Sequence, residues 1–273
     1  MKFRILLFAA LAFALSACQG GASEATDGEG AEADTAAAET AQEEAAPAAM
    51  NTLTEEEKAD GWMLLFDGES VDQWKGYCKD GFPEKGWKVA DGMLMCEASG
   101  KGEAGGGGDI ITKEQFGNFE LKLEWKISEG GNSGIFYLAR EKCGEEEGQP
   151  IWKSAPEMQI LDNEKHPDAR LGKDGNRQAG SLYDLIPAQP QNAKPAGGWN
   201  QVRILSYDGT IVHTMNGEDV VEYHLWTDDW KEMVANSKFK EYQDFIDVAK
   251  EGHIGLQDHG NDVWFRNIKI KEL

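Results

Sequence analysis

Cysteine is scarce, four in 273 residues, and no Cys-x-x-Cys pair or Cys/His cluster has metal-ligand spacing. A disulfide scaffold is therefore excluded, and nothing in the spacing compels a metal. No apolar run reaches the roughly 20 residues that a membrane-spanning helix needs; the longest, Ile5 to Leu15, has eleven. Positive charge is also short: 27 Lys and Arg stand against 49 Asp and Glu, a net −22. That balance argues against nucleic acid, whose binding rests on neutralising phosphates. The glycine run Gly105 to Gly108 lacks the lysine and following helix of a phosphate-binding loop and reads as a flexible loop. There is no internal repeat, and strands do not alternate with helices as a parallel α/β sheet would require.

The N-terminus has a composition of its own. Lys2 and Arg4 precede the apolar run, and Leu15-Ser16-Ala17-Cys18 closes it. This layout predicts an export signal over residues 1–17. The closing tetrapeptide resembles the bacterial lipobox, which implies lipidation of Cys18 and an anchor whose acyl chains hold the chain to a membrane. Gln19 after the cysteine points, within that resemblance, to the outer membrane, facing either the periplasm or the surface. Residues 19 to 57 contain eleven acidic side chains, no basic one and no aromatic one. Such a segment buries too little apolar surface to offset its ordering entropy, so 18–57 is expected to be a disordered tether. If Cys18 is lipidated, Cys78, Cys96 and Cys143 remain, and at most one internal disulfide can form between them. The folded domain is expected over 58–273, with a net charge of −13.

Within that domain strand signals dominate. Phe119, Leu121, Leu123, Trp125 and Ile127 alternate with Glu120, Lys122, Glu124 and Lys126, the period of a half-buried antiparallel strand. Asp91-Gly92, Asp208-Gly209 and Asn216-Gly217 sit between short apolar runs, where a tight hairpin turn wants positive φ. Many short strands joined by turns predict an all-β, antiparallel two-sheet sandwich or barrel. Residues 227–249 break the pattern and read as a helical insertion capped at Thr227 or Asp228.

Polar side chains recur at strand parity in three places. Glu157 and Gln159 share one face of the 155–162 segment, and His253, Gln257 and His259 share one face of 252–259. Asn132 opens a third strand at Asn132-Ser133-Gly134. If these strands are neighbours, a carboxylate, imidazoles and amides converge on one sheet face, as a carbohydrate groove requires. Singly, Glu157 reads equally well as a solvated strand position, His253 better as a plain polar loop residue, and amides such as those of Gln159 and Gln257 are more often surface groups than ligands.

Taken as a spaced set, Leu65-Phe66-Asp67-Gly68, Asn118-Phe119-Glu120-Leu121, Gly131-Asn132-Ser133-Gly134-Ile135-Phe136, Glu157-Met158-Gln159-Ile160-Leu161-Asp162, Tyr183, Trp199-Asn200, Asn216-Gly217, Gly252-His253-Ile254-Gly255-Leu256-Gln257-Asp258-His259-Gly260 and Phe265-Arg266-Asn267-Ile268 resemble the 3-keto-disaccharide hydrolase domain family. The resemblance implies a concanavalin A-like jelly roll and cleavage of glycosides that carry a ketone at carbon 3. Laminarinase-type jelly rolls place two catalytic carboxylates on one strand as Glu-x-Asp-x-Glu, whereas this chain offers Glu157, then Gln159, then Leu161, with Asp162 at the opposite parity. A 3-keto sugar opens a different route, elimination across carbons 1 and 2 followed by hydration, which needs one base, an acid and a stabiliser for an enolate. Glu157 and His259 are the candidates for base and acid. Asn132, Gln159 and Gln257 are candidates to hold sugar hydroxyls and the enolate oxygen, with Arg203 and Asp162 as further binding candidates. No cofactor is required by this route, although a divalent metal at a Glu/His pair would also stabilise an enolate. The rival reading is a carbohydrate-binding module without catalysis.

Overall fold

The computed structural model describes residues 49–101, 106–144 and 149–273. The expected signal over 1–17, Cys18, the tether as far as residue 48 and Gly105 lie outside the described residues.

The fold is a sandwich of two antiparallel sheets, of the jelly-roll kind. In chain order its strands are β1 (Met63–Leu64), β2 (Trp74–Gly76), β3 (Trp87–Ala90), β4 (Met93–Cys96), β5 (Ile110–Thr112), β6 (Phe119–Ile127), β7 (Asn132–Ala139), β8 (Glu157–Leu161), β9 (Asn200–Tyr207), β10 (Thr210–Met215), β11 (Glu218–His224), β12 (His253–Leu256) and β13 (Val263–Glu272). The larger sheet runs β11-β10-β9-β6-β13-β4-β3, with β1 added to β13; the smaller runs β2-β5-β12-β7-β8. The hairpin dipeptides adopt the positive φ their sequences call for, as in Asn216 (50°) and Gly217 (88°) between β10 and β11.

The larger sheet obeys simple alternation. Along β6 the five apolar residues are buried and the four charged ones between them are half-buried. They pack against Ile135, Tyr137, Met158, Ile160, Ile254 and Leu256 of the smaller sheet. Full burial of each such side chain is worth about 1.5–3 kcal/mol. The smaller sheet differs, because β7, β8 and β12 are buried on both faces. On its second face Ile111, Phe136 and Ala139 meet Ile151 and Ala155 of the chain that crosses over it. The polar faces read from the sequence therefore exist, but they lie under a cover and not in open solvent.

Two boundaries move. The expected tether up to residue 57 ends sooner, because Asn51 is buried and trades reciprocal 2.7 Å hydrogen bonds with Asn267, its N–H donating to Oδ1 and its Oδ1 accepting from the Asn267 N–H. Helix α1 (Glu55–Ala59) follows, closed by a Thr54/Glu57 capping box. The expected helix over 227–249 is two, α2 (Asp228–Ala235), capped by Thr227, and α3 (Gln243–Ile246). Between them Ser237 Oγ donates to the Val234 carbonyl and accepts from the Phe239 N–H, which ends the first helix. Trp230 of α2 stacks on Tyr223 of β11 and Phe245 of α3, fixing the pair to the sandwich. Cys78 and Cys143 form a disulfide, and Cys96 is buried and free.

One polar cluster is sealed between the sheets. Tyr137 Oη donates to His213 Nε2 at 2.7 Å and accepts from Tyr223 Oη at 2.8 Å, while His213 Nδ1–H donates to the Gly180 carbonyl at 3.1 Å. Burial lowers the His213 pKa from 6.5 to about 4. The unfolded chain takes up this proton first, so stability is fully present above the unfolded pKa of 6.5 and falls as pH drops toward 4. Denaturant unfolding should show about 3 kcal/mol of loss across that window from this residue. A His213→Gln variant should lose distinctly less over the same window; an identical slope would remove His213 as the cause.

Candidate functional site

The covered face is laid out by strand register. In the β7–β8 pair Gly134 lies opposite Gln159 and Phe136 opposite Glu157. On the other side of β7 Gly255 lies opposite Phe136, and the Gln257 N–H donates to the Gly134 carbonyl at 3.0 Å. Gln159, Gly134 and Gln257 thus form one row across three strands, with Glu157 one step along. Glycine at 134 is a steric requirement: a Cβ there would lie 1.9 Å from Glu157 Oε1. The carboxylate occupies the space that the missing side chain leaves.

The far end of this row is fixed by Asp258. Its Oδ2 accepts 2.9 Å hydrogen bonds from the backbone N–H groups of Gly106, Gly107 and Gly108, and its Oδ1 accepts from Gly260. The glycine run is an anion cradle whose anion is internal, and the expectation of a flexible loop is corrected for 106–108. With Asp258 turned into the cradle, the flanking Gln257 and His259 face the cleft.

Asn132, Trp152, Glu157, Gln159, Tyr183, Lys238, Gln257 and His259 line one small cleft of about 50 Å³. Three of its buried polar atoms have no hydrogen-bond partner in the protein: Asn132 Oδ1, Gln257 Oε1 and Trp152 Nε1. An unmet buried polar group costs about 1–3 kcal/mol, so three in one cleft mark a place built for a polar ligand. Gln159 spends its Oε1 on the Ile160 N–H at 3.1 Å, which leaves the amide nitrogen as its donor end. Tyr183 donates to Asp168 Oδ2 at 2.8 Å; burial, then that bond, push its phenol up, so it stays protonated. Arg177 clamps the same Asp168 at 2.8 Å and Asp184 at 2.5 Å, holding the Tyr183 wall in place. The His259 ring meets His166 edge-on at 6.1 Å, and burial, then the charge of His259, lower the pKa of His166. Lys238 brings its Nζ to 4.1 Å from the centre of the Tyr183 ring.

Of the residues singled out from sequence, Asn132, Glu157, Gln159, Gln257 and His259 come together. Asp162 does not: its carboxylate is spent on the N–H groups of Gly130 and Glu164, shaping a turn. Arg203 does not either; it lies on β9 of the other sheet and pairs with Glu120 at 2.7 Å. His253 is outside the cleft with both ring nitrogens engaged, by the Thr112 carbonyl and Gln115 Nε2. Trp152, Tyr183 and Lys238 were not picked out as site residues, since each reaches the cleft from a connection and carries no strand parity. A larger groove of about 670 Å³ lies against β6, β9 and β13 of the other sheet, walled by Lys122, Glu124, Arg203 and Arg266. Its arginines are already paired, Arg203 with Glu120 and Arg266 with Glu124, and it holds none of the residues singled out from sequence except Arg203. Among the described residues the one trio of close metal-type ligands is Cys78, Glu141 and Cys143, whose sulfurs are tied to each other.

The sequence profile of the 3-keto-alpha-glucoside-1,2-lyase-like domain matches residues 61–271. A 3-keto-disaccharide hydrolase of Bacteroides thetaiotaomicron is 52% identical over 244 residues, 83% of each chain. A crystal structure from Parabacteroides distasonis, provisionally assigned as a glycosyl hydrolase, superposes with a TM-score of 0.71 at 31% identity, covering 82% of this chain and all of that one. A second from the same organism, with the same provisional assignment, gives 0.54 at 27% identity over 74% of this chain.

If Gln257 Oε1 waits for a ligand, it does not hold the fold together. Gln257→Met, close in volume, should melt at or above the wild-type temperature. A drop of more than about 4 °C, on the order of 1 kcal/mol, would show the amide to be structural.

Proposed function

The chain belongs to the 3-keto-alpha-glucoside-1,2-lyase-like domain family, and from that membership we propose that it cleaves the glycosidic bond of disaccharides or glycosides oxidised to a ketone at carbon 3. One observation carries the chemistry: Glu157 is the sole carboxylate among the described residues lining the cleft. A retaining glycosidase needs a pair of carboxyl groups about 5–5.5 Å apart. A ketone at carbon 3 removes that need. The proton on carbon 2 is then acidic, and one base takes it, leaving an enolate. Collapse of the enolate restores the ketone, forms the double bond between carbons 1 and 2, and breaks the bond from carbon 1 to the leaving oxygen, which takes a proton from the acid. Water then adds at carbon 1 and a proton returns to carbon 2, so the sum is hydrolysis. This sequence joins the lyase wording of the family to the hydrolase name of the Bacteroides relative.

Glu157 and His259 divide the base and acid roles, and both line the cleft. The unmet oxygens of Asn132 and Gln257 accept from sugar hydroxyls, and the Gln159 amide donates. The reading extends to the N-terminus, where Leu15-Ser16-Ala17-Cys18 supports lipidation of Cys18 and Gln19 supports anchoring in the outer membrane.

Incubation with matched oxidised and unoxidised disaccharides should release monosaccharide only from the 3-keto form. Glu157→Gln should cut that rate by at least about 10²-fold, the scale of a lost general acid or base, with little change in melting. Equal cleavage of the unoxidised sugar, or tight binding of the 3-keto sugar without product, contradicts the proposal.

A further inference from the structure

We propose that Lys238 is the catalytic cation that holds the carbon-3 oxygen and stabilises the enolate formed there, an assignment that rests on the cleavage reading above. Loss of the carbon-2 proton moves the C–H electron pair into a carbon 2–carbon 3 double bond and places a full negative charge on the carbon-3 oxygen. The cleft must answer that charge with a donor. Two of its three unmet polar atoms, Asn132 Oδ1 and Gln257 Oε1, are acceptors, suited to hydroxyls and unsuited to an oxyanion. Trp152 Nε1 and the Gln159 amide are neutral donors. Lys238 is the sole Lys or Arg among the described residues lining the cleft.

Its surroundings hold the ammonium in place. Lys238 follows the break after α2, and Nζ lies 4.1 Å from the Tyr183 ring centre, 5.0 Å from Phe239 and 5.5 Å from Trp152. Aromatic faces attract a cation and restrict a side chain that would otherwise sample many rotamers. Two of these rings, Trp152 and Tyr183, are themselves cleft walls, so the charge is held where the sugar must sit. Two other cations lie near these rings without lining the cleft: Arg177 is tied to Asp168 and Asp184 beside Tyr183, and Lys153 stands 5.6 Å from the Trp152 ring centre. In the proposed cycle Lys238 keeps its proton throughout. It hydrogen-bonds the oxyanion as carbon 2 is deprotonated, and releases it when the electron pair returns to the ketone and expels the leaving oxygen.

The test separates enolate formation from bond cleavage. A 1,5-anhydro 3-keto sugar has hydrogen in place of the leaving group, so in deuterium oxide the enzyme can only exchange its carbon-2 proton, which NMR reads directly. Lys238→Met should slow this exchange and the cleavage of a 3-keto-disaccharide together, each by about 10²–10³-fold, the effect of losing one oxyanion donor. Lys238→Arg, which keeps a charged donor, should fall between. Lys238 as a whole residue is exposed even though its Nζ sits among the cleft rings, so both variants should melt close to wild type. Unchanged exchange with slowed cleavage would make Lys238 the acid for the leaving group and overturn the proposal. Unchanged rates in both assays overturn it as well, as would equal loss accompanied by unfolding in the Arg variant. A wild-type protein that neither exchanges nor cleaves would instead defeat the cleavage reading itself.

Discussion

A buried carboxylate on which four glycine N–H groups converge sets the geometry of the site. Asp258 is fully buried, and an ion in that position costs several kcal/mol unless its oxygens are met. Three consecutive glycine amides and that of Gly260 meet them, with charge-assisted bonds of 2.9 Å. Gly107 has no room for a side chain, since a Cβ there would lie 2.3 Å from the Lys85 carbonyl oxygen, and Gly108 and Gly260 take φ of 76° and 78°, a backbone that favours glycine. Because successive strand residues face opposite ways, locking Asp258 into the cradle commits Gln257 and His259 to the cleft. The facing of the cleft side chains on one side of the strand is thus enforced by a structural anion on the other.

The rest of the cleft shows the opposite economy. The fold leaves Asn132 Oδ1, Gln257 Oε1 and Trp152 Nε1 buried and unmatched within the protein, a standing cost to stability that a sugar can offset. Glu157 reaches into the gap at Gly134, where any other residue would displace it. Covering the second face of the smaller sheet with the 151–155 crossing and the α2–α3 connection turns an ordinary sheet surface into a partly dry cleft. In such a place a single base and a well-placed cation act far more strongly than they would in water.

Much of this was legible in the chain. Alternation along Phe119 to Ile127 and the Asp-Gly and Asn-Gly turns gave the antiparallel sandwich, since each rests on local backbone chemistry. Parity also put Glu157 and Gln159 on one face and Gln257 and His259 on another strand's matching face, and the register joined them. Parity could not say that this face would be covered, nor exclude Arg203, which belongs to the other sheet. Asp162 looked like a ligand and proved to be a turn residue, because a short acid next to backbone N–H groups serves either purpose. The glycine run reads as a flexible loop because nothing local marks the anion that orders 106–108; that anion is Asp258, about 150 residues away in sequence. Trp152 and Lys238 sit in connections, where position depends on tertiary packing and no period marks them. Asn51 was hidden inside an acidic stretch whose composition argued for disorder.

The account stands or falls with the grip on Asp258, which Asp258→Asn probes with minimal change in volume. Whichever way the substituted amide turns, its NH2 meets backbone N–H groups that are themselves donors, Gly260 on one side or the glycine run on the other, so the turn bearing Gln257 and His259 should lose its alignment. Steady-state cleavage of a 3-keto-disaccharide should then fall by more than tenfold in kcat/KM, about 1.4 kcal/mol or more, in a protein whose circular dichroism still reports the sandwich. Wild-type kcat/KM in that folded variant would contradict the claim that the buried anion sets the site.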